Sequence, residues 1–218
     1  ATQVSALSST AVSGLNTYDM AALTTDQIQG LGADVVKALG ATNVGAMSTD
    51  QLHVLNQAAM AVLTTAEVQA VTTTKLTALT ANQIAAMSTA GFAAMTTHQV
   101  KALTVDQMAG VTADQLKSLN TSQVQAMGTD RVAALSTDQL RALGTTQLGG
   151  LSTSQVAALT STQVQGLSTD AIIGLSTAQA AKVATAAVAA LSTAQVAAME
   201  TADVAALNST QLAALRDR

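Results

Sequence analysis

Threonine recurs at intervals of eight at Thr121, Thr129, Thr137, Thr145 and Thr153. Each supplies one hydroxyl and one methyl, and a rigid, regular array of such groups could match a repeating surface such as ice, a glycan or another copy of the chain. These five are the candidate surface contacts. The competing role is packing, with Thr in the first turn of a helix, where its modest helix propensity matters little and its methyl covers the edge of a core. Aspartate follows the same interval at Asp106 and Asp114, and again at Asp130 and Asp138. That spacing could form a ladder of cation ligands, but the glycine-rich calcium-binding nonapeptide is absent, and carboxylates are favoured near helix N-termini without any metal. His53 and His98 have no second His or Cys at ligand spacing and read as solvated surface residues. Ser and Thr are plentiful, yet no His and carboxylate constellation accompanies them, and no G-x-S-x-G elbow, P-loop or G-x-G-x-x-G occurs. The sequence predicts no catalytic residue, no metal site and no cofactor.

Composition narrows the class further. The 218 residues are 49% hydrophobic but 1% aromatic and 10% charged, with no Pro, Cys or Trp, against a usual charged fraction of about 25%. Such apolar content does not fit the disordered class, which is poor in apolar residues and rich in charge. Without Cys there are no disulfides, thiolate nucleophiles or Cys-ligated metals. A net charge of −4 and an isoelectric point near 4.8 argue against nucleic acid as a partner, because its footprint is clustered Lys and Arg. No apolar run approaches the roughly 18 residues of a membrane span. No signal-peptide pattern appears at Ala1, so an export signal would lie outside this chain or have been removed.

The elements that carry these residues follow one pattern. Ser136 to Leu143 reads S-T-D-Q-L-R-A-L, and counting in eights from Ser136 gives 26 unbroken octads from Ser8 to Leu215. Ala1 to Leu7 fits the register as an octad lacking its first residue, which predicts a single continuous solenoid over residues 1–215 with 216–218 as a charged tail. Position 5 is apolar, as at Val12, Met20 and Ile28, with only Ala180 small. Position 8 is Leu, Met or Val. Position 7 is mostly Ala or Gly, with Lys182 its one charged exception. Phe92 fills a position 5, and Tyr18 at position 3 is expected at the surface. Position 6 varies freely, which marks it as solvent-facing, and position 3 is equally free.

A continuous helix is excluded, because eight residues are about 2.2 turns and an apolar seam of that period would spiral around the axis. In a strand, positions 5 and 8 would face opposite sides. In a short helix they are i and i+3 and share one face. Position 1 is Ser, Thr, Asn or Gly in nearly every octad, and position 4 is most often Gln, as at Gln27, Gln51, Gln99, Gln139 and Gln195. This is a capping box, with the position 1 side chain accepting from the position 4 N–H and the Gln reaching back to the position 1 N–H. Asp26, Asp34, Asp50 and Asp138 fall in first turns, and Lys37, Lys101, Lys117 and Arg141 in last turns, as the helix dipole favours. The expected fold is all-α: a solenoid or superhelix of very short helices, one per octad, joined by a cap residue. Such helices are far below the length that is stable alone, so stability must come from stacking. No 16- or 24-residue super-period is visible, which favours a coil generated by one screw operation per octad. The number of octads per turn is left open.

The string L-S/T-x-x-Q-V-x-A-L resembles the opening helix of TAL-effector repeats, although the roughly 34-residue period, base-reading loop and basic character of that family are missing, so DNA binding is not implied. Over its whole length the octapeptide S/T-T-x-Q-V-x-A-L resembles the repeat tracts of large exported bacterial surface proteins of the adhesin-like or haem-utilisation-like kind. That resemblance implies an extracellular or cell-surface location and a structural role. No convincing polar capping repeat is seen at Ala1 or Arg218, and solenoids usually need them. The chain is then expected to be either a cut from a longer array or a subunit that stacks end to end: a structural repeat protein, a self-assembling fibre or filament subunit or an adhesin stalk segment. Its partners would be copies of itself, end to end or lateral, or a component of the cell surface or extracellular matrix. The alternative is a surface-binding module for ice or a glycan built on the Thr array.

Overall fold

The computed structural model describes residues 8–215, and the proposed tail 216–218 and the incomplete octad 1–7 lie outside them. Every described element is an α-helix, the shortest of four residues and the longest of seven, and no strand occurs among the described residues. The described residues form two compact units divided between Val111 and Thr112, which is also a boundary between octads. Each unit is an all-α solenoid of stacked short helices.

The helices begin where the capping pattern predicts. Thr96 accepts from the Gln99 N–H at 3.2 Å while Gln99 Oε1 accepts from the Thr96 N–H at 2.8 Å. The same reciprocal box closes at Ser48 and Gln51, at Ser136 and Gln139, and at Ser192 and Gln195. Each box satisfies two of the N–H groups that a helix start leaves without partners.

The joint between helices is longer than a single cap residue. Position 8 lies outside the helix in extended backbone, with Leu143 at φ −65 and ψ 125, and position 1 follows in the same region, with Ser136 at φ −66 and ψ 161. The position 8 N–H still bonds back three residues, as from Leu143 to the Leu140 carbonyl at 3.1 Å. Two extended residues in succession redirect the chain at such joints; at Leu39 and Met127 position 8 is helical instead, and a positive-φ glycine follows. Positions 5 and 8 nevertheless both reach the core: Ile28, Phe92, Val100, Leu103 and Leu140 are fully buried. Burial of one such aliphatic side chain contributes about 1.5–3 kcal/mol.

Those redirected helices stack with a fixed stride. In the first unit, helix Thr17–Ala22 packs on Gly40–Ala46, which packs on Thr65–Ala70; helix Gln57–Val62 packs on Ala81–Ala86, which packs on Val105–Gly110. In the second, Ala113–Ser118 packs on Thr137–Ala142 and Thr177–Ala180 on Thr201–Ala206. Each contact joins an octad to the one three further on. Hydrogen bonds between successive turns link residues 25 to 31 apart, so a turn holds between three and four octads.

The Gln at position 4 makes most of these bonds. It is buried, with 3% exposure at Gln99 and 1% at Gln115 and Gln155. Its oxygen closes the box, and its Nε2 donates to the position 5 and position 8 carbonyls of the octad four earlier. Gln99 reaches the Val68 and Val71 carbonyls, both at 2.7 Å, and Gln107 reaches those of Leu76 and Leu79 at 2.8 and 2.6 Å. In the second unit Gln163 and Gln195 bond Val132 with Leu135 and Val164 with Leu167. One side chain thus serves the N–H groups at its own helix start and the orphan carbonyls at a helix end one turn back.

This geometry ranks substitutions at Gln99. Gln99→Ala leaves the Thr96 N–H and two carbonyls without this partner and lowers stability by about 1–3 kcal/mol. Gln99→Glu keeps the box but sets a carboxylate against two carbonyls, so it destabilises more than Ala does. Urea unfolding followed by far-ultraviolet circular dichroism gives both midpoints, and a Glu variant as stable as the Ala variant would contradict the assigned role of the amide nitrogen.

Candidate functional site

The five candidate threonines each occupy the first position of a helix, from Thr121–Ala126 to Thr153–Ala157. Thr121, Thr145 and Thr153 are exposed, and Thr129 and Thr137 are half-buried. They do not form one face, because successive octads take successive places around the coil. The packing stride regroups them: the helix of Thr121 stacks on that of Thr145, the helix of Thr129 on that of Thr153, and the helix of Thr137 on Ser161–Gln165.

The methyl half of these side chains is used internally. A Cβ added at Gly150 would lie 2.9 Å from both Cβ and Cγ2 of Thr121, and one added at Gly174 would lie 3.1 Å from the same atoms of Thr145. At Gly166 it would overlap Thr137 Cγ2. Position 2 of one octad therefore sits on position 7 of the octad three further on, which explains both the small residues at position 7 and the recurrence of a compact β-branched residue at position 2.

The remaining polar candidates stay dispersed. Asp106, Asp114, Asp130 and Asp138 are exposed at the second position of their helices, and no three His, Cys, Asp or Glu residues gather at a metal-binding distance among the described residues. His98 is exposed. His53 is also exposed, but its Nδ1 lies 2.9 Å from the Ala78 carbonyl. Position 6 is therefore more than a solvated face: Gln69 Nε2 donates to the Ala94 carbonyl and Arg141 Nε to the Gly166 carbonyl, both at 2.9 Å, each reaching position 7 of the octad three further on. Arg141 also approaches Asp138 at 3.7 Å with both side chains largely in water, a pair worth at most about 1 kcal/mol. Tyr18 is exposed, Phe92 is buried and Lys182 remains exposed. No described helix is long and apolar enough to cross a membrane.

The residues that sequence reasoning underread are those at position 4. Glu closes a capping box as well as Gln does, yet position 4 is Gln in fourteen of the 26 octads and Glu only at Glu67. That bias is the signal for a donor requirement. Glu67 shows how the requirement is met when the donor is lost. It is 1% exposed, and its Oε2 accepts from the Thr64 N–H at 2.7 Å. Its Oε1 accepts from the Gly40 N–H at 3.1 Å, across one turn. There the backbone has turned over: Leu39 is helical rather than extended and Gly40 has φ +75, so the chain presents an N–H instead of a carbonyl. The displaced Leu39 carbonyl accepts from Asn43 Nδ2 at 3.0 Å, and the same nitrogen reaches the Leu15 carbonyl at 2.8 Å. Glu67, Gly40 and Asn43 thus form one exchange of donor for acceptor. The other positive-φ glycine, Gly128, is followed by Arg131 at position 4, whose Nη1 takes the Met127 carbonyl at 3.1 Å.

Three stretches of the chain, residues 2–33, 81–113 and 132–169, match the ALTTAQ repeat family. Read as residues, that string spans positions 7, 8, 1, 2, 3 and 4: the close-packed small residue, the extended core residue, the cap, the packing Thr and the bridging Gln. Ala22-Leu23-Thr24-Thr25-Asp26-Gln27 follows it except at Asp26. The chain therefore carries a tandem-repeat tract of that kind. No curated protein matches it.

The turned-over backbone yields a paired test. Gly40→Ala has open space around the new Cβ but must hold φ +75, which costs about 1–2 kcal/mol. Gly32→Ala also enters open space, at an ordinary φ of −73, but stands at a helix N-cap where Ala is disfavoured, so the gain from a stiffer unfolded chain is offset and stability is expected to stay within about 0.5 kcal/mol. Equal shifts of the two thermal midpoints would refute the conformational assignment at Gly40.

Proposed function

We propose that the chain is a structural module, a self-associating solenoid that serves as a filament subunit or stalk segment outside the cell. The observation that carries this reading is the offset of the Gln ladder. Because a position 4 Gln donates to the octad four earlier, the first octads of an array hold donors without acceptors and the last hold acceptors without donors. Gln27 Nε2 has no acceptor among the described residues, although Gln27 closes its box with Thr24. The carbonyls of Leu191, Met199 and Leu207 accept no hydrogen bond among the described residues. The apolar rows open in parallel: Leu15 and Leu23 are half-buried, as are Val196, Met199 and Val204, while Leu212 is 39% exposed. Further octads entering in register, from a longer array or from a second copy, would bring amide donors to those carbonyls and cover both apolar edges.

Such association repeats the internal stacking interaction, so its geometry is already encoded. It is heterologous, and heterologous contacts propagate into open filaments unless they close into rings. The resemblance to exported surface repeats supports an extracellular location. The absence of a catalytic constellation in the sequence fits a role in which no bond is made or broken.

Sedimentation velocity at several concentrations, with electron microscopy of the same samples, tests the proposal. The expected result is a distribution that grows with concentration and is shifted to smaller species by Leu212→Glu combined with Gln27→Ala. A chain that remains monomeric at every concentration would overturn it.

A further inference from the structure

An ordinary joint has position 8 extended, with ψ 119 at Val71 and φ −66 at the following Thr72; at Leu39 the ψ is −37, and Gly40 follows with φ +75. Rotations of nearly half a turn, in opposite senses, about the two bonds flanking one planar peptide exchange its carbonyl with its N–H and leave the chain on either side almost on course. The joint at Gly40 therefore differs from an ordinary one by a single peptide flip. Glycine accepts either orientation, since it takes positive φ without steric cost, and a Cβ at Gly40 would meet nothing within 4 Å, so the surroundings leave room for the motion.

Glu67, 1% exposed, faces the N–H side of that peptide. Its oxygens accept three hydrogen bonds: Oε1 from the Gly40 N–H at 3.1 Å, Oε2 from the Thr64 N–H at 2.7 Å and from the Thr64 hydroxyl at 3.0 Å. A carboxylate suits all three, being an acceptor only. A neutral carboxylic acid has an O–H to donate and nearly the shape of the Gln amide. At position 4 that amide donates to the position 8 carbonyl four octads earlier, as Gln99 does at Val71 and Gln83 at Leu55. For Glu67 the corresponding carbonyl is that of Leu39, which in the flipped joint accepts from Asn43 Nδ2 at 3.0 Å instead. Asn43 has a second bond, to the Leu15 carbonyl at 2.8 Å, that does not involve this peptide.

We propose that the peptide between Leu39 and Gly40 is a conformational switch thrown by protonation of Glu67. The carboxylate holds the Gly40 N–H. A proton on Oε1 would set two hydrogens against each other, so the peptide turns and offers the Leu39 carbonyl, which restores the bond between turns that Gln makes elsewhere. The capping box survives, because Oε2 remains an acceptor for Thr64. The helices stacked on Thr65–Ala70, Gly40–Ala46 and Thr89–Ala93, hold no titratable residue; Asp34 and Lys37, on the helix before the joint, are exposed, and Lys75 places its ammonium on the Gly45 carbonyl at 2.6 Å. Gly128 supplies a flipped joint without an acid. Its peptide is held by Arg131 Nη1 on the Met127 carbonyl, and Gln155, four octads on, donates to the Val124 and Gln125 carbonyls instead.

The test is NMR of the isotope-labelled full chain from neutral to acid pH, reading the nuclear Overhauser effect between the Leu39 Hα and the Gly40 N–H. This effect is weak at a helical ψ and strong at the extended ψ of an ordinary joint. In the unsubstituted chain it is expected to strengthen on acidification, while the corresponding Met127 and Gly128 pair stays weak. In Glu67→Gln it is strong already at neutral pH and does not respond to acid. Stability gives a second reading: Gly40→Ala lowers the thermal midpoint by about 2–8 °C when Glu67 is present and by much less in Glu67→Gln, where φ at residue 40 is negative. A weak effect that persists until the whole chain unfolds would overturn the proposal, even if the Gly40 chemical shift moved. So would additive effects of Gly40→Ala and Glu67→Gln on the midpoint.

Discussion

The structure depends on one constraint: helices of four to seven residues leave nearly all their polar backbone groups at an end. In a long helix the four N–H groups and four carbonyls without internal partners are a small fraction. Here they are most of the helix, and stacking buries them. The position 4 Gln meets that demand with four bonds, two in its capping box and two to carbonyls a turn away, as at Gln99. A neutral amide suits this role because it carries an acceptor and a donor on one planar group. The Gln is therefore a cap in the local structure and a bridge in the tertiary structure.

Close approach is the second condition, and it follows from the first. The Nε2 reaches the previous turn only if the helices sit tightly, and position 7 allows this by remaining small where the Thr of position 2 presses on it, as at Gly150 and Thr121. Position 6 side chains such as Gln69 and Arg141 then add bonds on the outer surface. Core and rim contacts join octads three apart and the Gln bridge joins octads four apart, so each octad is stabilised by its neighbours along the coil and not by its own helix, as expected of a solenoid.

Where position 4 holds a charged residue in place of Gln, the surroundings show how donors and acceptors are matched. Lys75 takes the place of Gln and sends its ammonium to the Gly45 carbonyl at 2.6 Å. Glu67 survives because Gly40 turns its peptide over. Asp203 has no such compensation and lies on a cavity. The first two, substitution of the donor and inversion of the partner, are different solutions to one electrostatic problem.

Much of the fold was determined by the sequence alone. The octad register, the cap at position 1, the buried positions 5 and 8 and the small position 7 all follow from residue types at a period of eight, because each is a local demand that recurs unchanged. The tertiary structure decided the rest: the three to four octads per turn, the grouping of Thr121 with Thr145 instead of with Thr129, the carbonyls that Gln99 bridges, and the pairing of Glu67 with Gly40 across 27 residues. These rest on the angle set by the backbone at the joints, two extended residues at joints such as Leu135 and Ser136. A screw operation that treats every octad alike leaves no longer period in the sequence from which that angle could be read.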